Sequence, residues 1–298
     1  MINFGVRHLA TSFGGARAAA AAFARTVSVW DVLSGEHIST FETVLECGGR
    51  RLVINERGNL CAAAAYARHG LACYETDGGS LVWSRVDLKQ LQWLSLSPDG
   101  ARLYCCSEIS ACAVLNFETG QSLDAWRGVR SVFESRYEPV VLLDQARPVI
   151  PRVDTGALMP VRGSTFAFLD AAFGPESVCI SESGGPVRAL DTKGGREIWR
   201  HEPPPGCHVL RLLYVGSTHA FAAVEYSYTQ EGCPRALVWL DADTGQRRHV
   251  ADIGSVADAE VCHEGLALLT SDGHLISTQT GKLSRALSFG RLGPDVGG

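Results

Sequence analysis

One short pattern recurs along the chain and constrains its fold more than any other feature. A polar residue ends an apolar run, a tight turn containing glycine follows, and a second apolar run begins. Residues 189–199, Ala-Leu-Asp-Thr-Lys-Gly-Gly-Arg-Glu-Ile-Trp, are the clearest copy. The turn glycines of the seven copies are Gly35, Gly79, Gly120, Gly156, Gly195, Gly245 and Gly281. They are spaced by 44, 41, 36, 39, 50 and 36 residues, which indicates a repeat architecture with a period near 41 residues.

Each period contains short strand-like runs and no convincing helical periodicity. The third copy has four such runs, at 91–97, 102–106, 112–117 and 121–126, with the turn Pro98-Asp99-Gly100 between the first two. Four short antiparallel strands in about 41 residues are typical of one blade of a β-propeller. We therefore predict an all-β, seven-bladed β-propeller of four-stranded antiparallel blades, with six or eight blades as the alternatives.

The predicted domain covers residues 1–290, followed by a flexible tail at 291–298. The predicted blades are 1–43, 44–87, 88–127, 128–163, 164–203, 204–250 and 251–290. A first strand at residues 1–10 and a last strand at 283–288 imply that each blade is continuous in sequence. The ring would then close by packing of the seventh blade on the first.

The turn motif resembles known propeller repeats. Asp191, Thr192, Gly195 and Trp199 are similar to the Asp-x-x-Thr-Gly-x-x-x-Trp motif of quinoprotein-like (PQQ-type) repeats. Trp30-Asp31 with Ser34-Gly35 resembles WD-repeat sequences instead. Within this pattern we interpret five prominent residues as structural, the acids capping turn amides and the tryptophans covering the next blade: Asp31, Asp191, Asp241, Trp83 and Trp199.

Charge and hydropathy argue against two classes of partner. The net charge of −5, with both signs spread along the chain, does not suit a nucleic-acid binder, which needs a basic face. No apolar run approaches the roughly 20 residues that span a bilayer. We read the alanine run at 18–22 as a buried strand and not as part of an export signal, because Arg7, His8 and Arg17 interrupt the apolar stretch. The expected location is cytoplasmic.

The ten cysteines lie mostly in apolar runs, where free thiols behave as small hydrophobic residues. We expect reduced core thiols, with one thiol of the adjacent pair Cys105 and Cys106 buried and the other facing the sheet edge. A quinoprotein-type disulfide between this pair is the alternative. Cys207 and His208 near His201 lack the ligand spacing of a zinc site, so we expect no metal and no cofactor.

No nucleophile elbow and no phosphate-binding loop occurs, so we expect no enzymatic activity. Hydrolase-like propellers do assemble metal sites in the central channel from residues far apart in sequence. A small-molecule-binding protein or metal-dependent, lactonase-like enzyme that uses this channel therefore remains the alternative.

The predicted binding surface comes from irregular loops, where a rigid scaffold usually carries its binding residues. The sixth copy is the longest, with an insertion at 226–234, and the loop 201–207 is expected close by on the same face. The expected partner-binding residues are Tyr226, Tyr228, Gln230, Glu231, His201, His208, Arg68, His69 and Arg147. Tyrosine and arginine are favoured interface anchors.

These observations predict a non-enzymatic, monomeric, protein-binding propeller. The composition, rich in alanine, arginine and glycine, suggests a bacterial source. An immunity protein that neutralises a toxin or effector, or an assembly scaffold, would fit the size and the lack of catalytic motifs.

Overall fold

The computed structural model describes most of the chain. The described residues are 8–12, 16–21, 25–46, 51–66, 69–97, 99–109, 111–129, 131–133, 141–143, 148–151, 158–160, 168–227, 236–252, 259–262, 266–270 and 273–287.

The first three sheets contain twelve strands. These are β1 (His8–Thr11), β2 (Arg17–Ala21), β3 (Thr26–Asp31), β4 (His37–Glu42), β5 (Leu52–Ile54), β6 (Leu60–Ala64), β7 (Leu71–Glu75), β8 (Leu81–Arg85), β9 (Leu91–Leu96), β10 (Arg102–Ser107), β11 (Ala111–Asn116) and β12 (Ser122–Arg127).

The remaining sheets contain sixteen strands. These are β13 (Val132–Phe133), β14 (Val141–Leu143), β15 (Pro148–Pro151), β16 (Leu158–Pro160), β17 (Phe168–Phe173), β18 (Ser177–Glu182), β19 (Val187–Asp191), β20 (Glu197–His201), β21 (Cys207–Val215), β22 (Ala220–Ser227), β23 (Ala236–Asp241), β24 (Arg247–Asp252), β25 (Ala259–Cys262), β26 (Ala267–Thr270), β27 (His274–Ser277) and β28 (Leu283–Ala286).

Consecutive strands pair antiparallel in groups of four, which gives seven four-stranded sheets. The prediction of an all-β propeller with four-stranded antiparallel blades is confirmed. The fourth sheet, β13–β16, has strands of only two to four residues, shorter than most strands of the other six sheets. Within the described segments, one short 3-10 helix, Gly216–Thr218, is present, and no helix is long and apolar enough to cross a membrane.

The first strand of each sheet is the innermost one. β1 lies against β5, β5 against β9, β9 against β13, β17 against β21, and β21 against β25. β25 lies against β1, and Thr11 Oγ1 donates to the carbonyl oxygen of Val261 at 2.9 Å. Each sheet is continuous in sequence, and the last packs on the first, as expected.

The second strand of a blade is buried on both of its faces, because a neighbouring blade covers each side. Ala18 to Ala21 in β2 are fully buried, which confirms that the alanine run is a core strand. Small side chains allow two blades to approach such a strand closely. At the boundary between the last and first sheets, Leu9, Ala20 and Trp30 pack with Cys262 and Leu269.

The recurrent acidic residue holds the turn that follows it. Asp191 Oδ2 accepts a hydrogen bond from the amide of Arg196 at 2.8 Å, and Oδ1 accepts from the amide of Gly194. Asp31 accepts from Ser34, and Asp241 accepts from Asp243 and Thr244. The structural interpretation of these three acids is confirmed.

An extra residue follows this turn on the outermost strand of six sheets. The register with the third strand shifts there, and the extra residues are Ile38, Val82, Leu123, Ile198, Arg248 and Ser284. Such bulges bend and twist an edge strand and so discourage edge-to-edge association.

The residue after the bulge reaches the next blade. Trp83 Nε1 donates to the carbonyl oxygen of Phe117 at 2.9 Å, and Trp199 Nε1 donates to that of Ala242 at 2.8 Å. Ser39 Oγ donates to the carbonyl oxygen of Thr76 at 2.5 Å at the first such boundary. Arg285 donates to the carbonyl oxygen of Leu33 where the ring closes. The predicted covering role of Trp83 and Trp199 is confirmed.

Eight cysteines lie in the described segments, and all are free and buried. The expectation that one thiol of the Cys105–Cys106 pair faces the sheet edge is wrong. Cys105 packs toward the second blade with Leu94 and Leu103, whereas Cys106 packs with Tyr104 and Val129. Blades cover both faces of β10, so neighbouring side chains that point in opposite directions are both buried.

Candidate protein-binding face

Two faces of the ring follow from the meander topology. We call the side with the sheet-to-sheet connections and the second-to-third-strand connections the loop face. The opposite side, with the turns between first and second and between third and fourth strands, is the hairpin face. His201 at the end of β20, His208 at the start of β21 and Tyr226 near the end of β22 lie toward the loop face.

A buried carboxylate joins the fifth and sixth blades at this face. Glu225 in β22 is only 3% exposed, and its Oε1 lies 3.1 Å from His201 Nε2 of the preceding blade. Arg247, at the start of β24, donates to both oxygens of Glu225 at 2.6 and 2.9 Å. A buried carboxylate needs such partners, because its desolvation is otherwise unfavourable. Glu225 therefore fixes β20, β22 and β24 relative to one another.

His208 forms a second contact between the same two blades, and Tyr226 lies beside it in the sixth blade. They are direct cross-strand partners in β21 and β22, and His208 Nδ1 accepts a hydrogen bond from the amide of Gly184 in the fifth blade at 2.8 Å. Gly184 has φ +69°, which favours glycine. The half-buried Tyr226 therefore lies on β22 directly opposite His208, and His208 is hydrogen-bonded to the fifth blade.

The fifth blade has its own buried ion pair near this face. Glu182 Oε1 accepts from Arg188 Nη2 at 2.6 Å, and both side chains are buried. Arg188 also lies 3.6 Å from Glu197, which pairs with Arg200 at 3.1 Å. The hydrogen bonds from Arg200 lower the pKa of Glu197 from its ordinary value, against the opposing effect of burial. The buried Glu182–Arg188 pair therefore joins the end of β18 to the start of β19.

A row of charged residues crosses the innermost strands of the fifth, sixth and seventh blades. Asp170 Oδ2 accepts from the amide of Leu212 at 2.8 Å and lies 3.4 Å from Arg211 Nη1. Arg211 Nη2 donates to Glu260, and Nε donates to the carbonyl oxygen of Ala259 at 3.3 Å. The row links three blades at the channel, and its charges are compensated within the protein.

The structure brings three of the predicted binding residues together: His201, His208 and Tyr226. It separates His69, which is exposed in the turn between β6 and β7, in a sheet whose ring neighbours are the first and third sheets. Tyr228, Gln230, Glu231, Arg68 and Arg147 lie outside the described residues.

The sequence analysis missed the residues that organise this face: Glu225, Arg247, Glu182 and Arg188. One signal was available, because Glu182 and Glu225 each interrupt the end of an apolar run on a second strand. Ser107 and Thr270 occupy the corresponding place in the third and seventh blades. Their hydroxyls bond the backbone of Ala111 and His274, respectively. In these two blades the polar residue at this position therefore holds the start of the third strand.

Cys207 is buried beside His208. Among the residues that the structure describes, no group of three or more potential metal ligands occurs.

Comparisons with known proteins agree with the fold. No protein-family profile matches the chain, and no curated protein matches it. Its solved structural neighbours include U3-55K, with a TM-score of 0.70 at 12% identity, over 91% of this chain and 89% of that chain. At this identity the likeness shows the fold alone: the protein is a β-propeller of four-stranded antiparallel blades.

Proposed function

We propose that this protein is a protein-binding propeller that recognises its partner through the loop face at the fifth and sixth blades. One observation carries the proposal. Glu225, with His201 and Arg247 on its two oxygens, rigidly holds the strand from which Tyr226 and the 228–235 connection emerge. Loops on a rigid scaffold are favoured binding elements, because less freedom is lost on association.

The repeat family and the number of blades in the ring are proposed from the sequence motifs. We propose that the repeats are of the WD-repeat or quinoprotein-like type and that all seven sheets are blades of one ring. Two sets of contacts in the fifth blade support this repeat family: Asp191 accepts hydrogen bonds from its turn amides, and Trp199 donates to Ala242 of the next blade. The proposed setting is bacterial cytoplasm, with the protein acting as a monomer, either as an immunity protein against a toxin or effector or as a scaffold.

A comparison of three proteins tests the binding proposal. Wild type, a Tyr226→Ala, Tyr228→Ala double variant, and a Glu118→Ala control on the hairpin face would each be immobilised and exposed to lysate of the source organism. We expect one protein in near-stoichiometric amount on wild type and control, and a loss of at least about tenfold on the double variant. Thermal unfolding should be the same for all three. The proposal would be overturned if all three immobilised proteins captured the same proteins in the same amounts, or if wild type enriched no protein.

A second candidate function draws on the charged row at the channel. Asp170, Arg211 and Glu260 are groups that could contact a small polar molecule or, after displacement of Arg211, a metal ion. This supports the channel-based enzyme or small-molecule alternative. Elemental analysis of the purified protein tests its metal-dependent form: a stoichiometric divalent ion supports it, and a metal-free protein that takes up no added metal contradicts it.

A further inference from the structure

Two of the buried cysteines face each other across the third sheet. Cys106 on β10 and Cys112 on β11 are directly opposite in the strand register. No other two of the eight cysteines in the described segments are paired in this way. Both pack in one cluster with Val132 of β13, so their side chains lie on the same side of the sheet. They stand at the loop-face end of the blade, on either side of the connection between β10 and β11.

The adjacent residue Cys105 does not compete for this contact in the folded sheet. Its side chain packs with Leu103 toward the second blade, whereas Cys106 packs on the opposite side of β10. Neighbouring residues of a strand point to opposite faces. The thiol that Cys106 meets in the native sheet is therefore that of Cys112.

The backbone hydrogen bonds place the pair where cross-strand side chains come closest. The amide of Phe117 donates to the carbonyl oxygen of Ala101, so these two opposite residues form a hydrogen-bonded pair. Such pairs alternate along the ladder with non-hydrogen-bonded pairs, and the register from Ala101 makes Cys106 and Cys112 one of the latter. The Cα atoms of such a pair are about 4.5 Å apart, and a disulfide spans Cα separations of about 4.4–6.8 Å. The sheet can therefore accommodate an Sγ–Sγ bond without a change of register.

The two thiols already contact each other. They are hydrogen-bonded to one another, and this hydrogen bond and burial raise the pKa of the Cys106 thiol. Because the thiolate is the attacking species in disulfide exchange, the closed blade should oxidise slowly. Exchange takes place while the third blade is locally open, and the closed sheet then holds the product.

We propose that Cys106 and Cys112 form a reversible redox site, which a small disulfide such as oxidised glutathione converts into a cross-strand disulfide. One cysteine attacks a glutathione sulfur, breaks the glutathione disulfide and releases one glutathione thiol, which leaves a mixed disulfide. The other cysteine attacks the protein sulfur of this mixed disulfide and releases the second glutathione thiol. In sum, the two protein thiols lose two electrons and two protons, and the oxidant takes up both.

Oxidation would fasten the base of the connection between β10 and β11. In this connection Ser107 Oγ donates to the carbonyl oxygen of Ala111 at 3.1 Å, and Ile109 is 69% exposed. A covalent bond beside that hydrogen bond would hold the two strands together at the loop face. The redox state of the pair would then set how easily the third blade opens. This site is separate from the proposed binding face at the fifth and sixth blades.

Thiol–disulfide exchange followed by mass spectrometry tests the proposal. The reduced protein would be equilibrated with mixtures of reduced and oxidised glutathione, in guanidinium raised up to the start of unfolding so that the blades open locally. After acid quenching and alkylation, peptide mapping identifies each linkage. We expect the Cys106–Cys112 disulfide to have a formation constant at least about tenfold greater than any other among the described cysteines, equivalent to about 30 mV. Dithiothreitol should restore both thiols.

Two variants and a second measurement complete the test. Cys112→Ala should abolish the linkage, and Cys105→Ala, the matched control on the opposite side of β10, should retain it. Oxidised wild type should melt at least about 2 °C above the reduced protein, and Cys112→Ala should show no such difference. The wild-type linkage map and melting temperatures decide the question even if a variant does not fold. Absence of the linkage at every glutathione ratio, pairing of Cys106 with Cys105, or a lower melting temperature of oxidised wild type would each overturn the proposal.

Discussion

Trp199 Nε1 donates a hydrogen bond to the carbonyl oxygen of Ala242 across the boundary between the fifth and sixth blades, at 2.8 Å. The same ring covers Gly245, where an added Cβ would lie 2.6 Å from the indole. Trp83 repeats the arrangement with Phe117 and Gly120. Successive blades are therefore joined at the turn of one and the outer strand of the other, and this junction can be tested by substitution.

Trp199→Phe removes the indole donor but keeps an aromatic ring. We expect a loss of about 1 kcal/mol in the free energy of unfolding, because the Ala242 carbonyl loses its partner. Trp199→Ala also removes the packing and should cost about 3–5 kcal/mol. Urea unfolding measures both. Equal losses for the two variants would show that the hydrogen bond, and not the ring, stabilises the junction.

Gly245→Ala should destabilise the fold by about 2 kcal/mol or more, since φ is +69° and the Trp199 ring occupies the space of the Cβ. The matched control is Gly78→Ala in the corresponding turn region of the second blade, where a Cβ would meet nothing within 4 Å. The control should stay within about 0.5 kcal/mol. In the Trp199→Ala background, Gly245→Ala should cost less than alone, and strict additivity would contradict the packing argument.

Glu225→Ala should cost about 1–3 kcal/mol, because the hydrogen bonds to its carboxylate are lost while the partly exposed Arg247 can be hydrated. Glu202→Ala is the control, since Glu202 is exposed and lies 4.0 Å from Arg200; its effect should be within about 0.5 kcal/mol. Chemical denaturation of both variants provides the measurement. A comparably small effect of Glu225→Ala would show that the buried Glu225 carboxylate does not stabilise the contact between the fifth and sixth blades.

Asp241 should stabilise the protein in a pH-dependent manner. Burial alone would raise its pKa, but hydrogen bonds from Arg248 and from Thr244 outweigh burial and lower the pKa from 3.8 to about 2. The folded pKa is below the unfolded one, so the stabilisation is complete above pH 4 and is lost as the pH falls toward 2. The stability difference between wild type and Asp241→Asn should shrink by on the order of 1–2 kcal/mol between pH 5.5 and pH 2.5. A difference that grew on acidification would contradict this assignment.

The described cysteines should be inert toward thiol reagents in the native state. Burial raises the pKa of Cys73 and of Cys262 to about 12, and the reactive thiolate is scarce at neutral pH. With Ellman's reagent we expect at most two of the ten thiols to react quickly, those of Cys47 and Cys233, which lie outside the described residues. All ten should react after denaturation with guanidinium. Rapid native modification of Cys105 or Cys106 would show that the blades open.

The sequence by itself determined the repeat and its local chemistry. Asp191, Gly195 and Trp199 act within or next to one turn, so their spacing predicts a polar turn cap, a left-handed glycine and an outer-strand aromatic residue. A period near 41 residues with four strand-like runs then predicts four-stranded antiparallel blades. The buried alanine run at 18–21 follows from the same local pattern, because its apolar composition does not depend on which blades flank it.

Only the tertiary structure decided which residues meet between blades. Glu225 contacts His201 at a separation of 24 residues, and Arg211 contacts Asp170 at 41. No local periodicity encodes such pairs, because they depend on the rotation of one blade against the next. For the same reason the sequence did not predict that both Cys105 and Cys106 are buried.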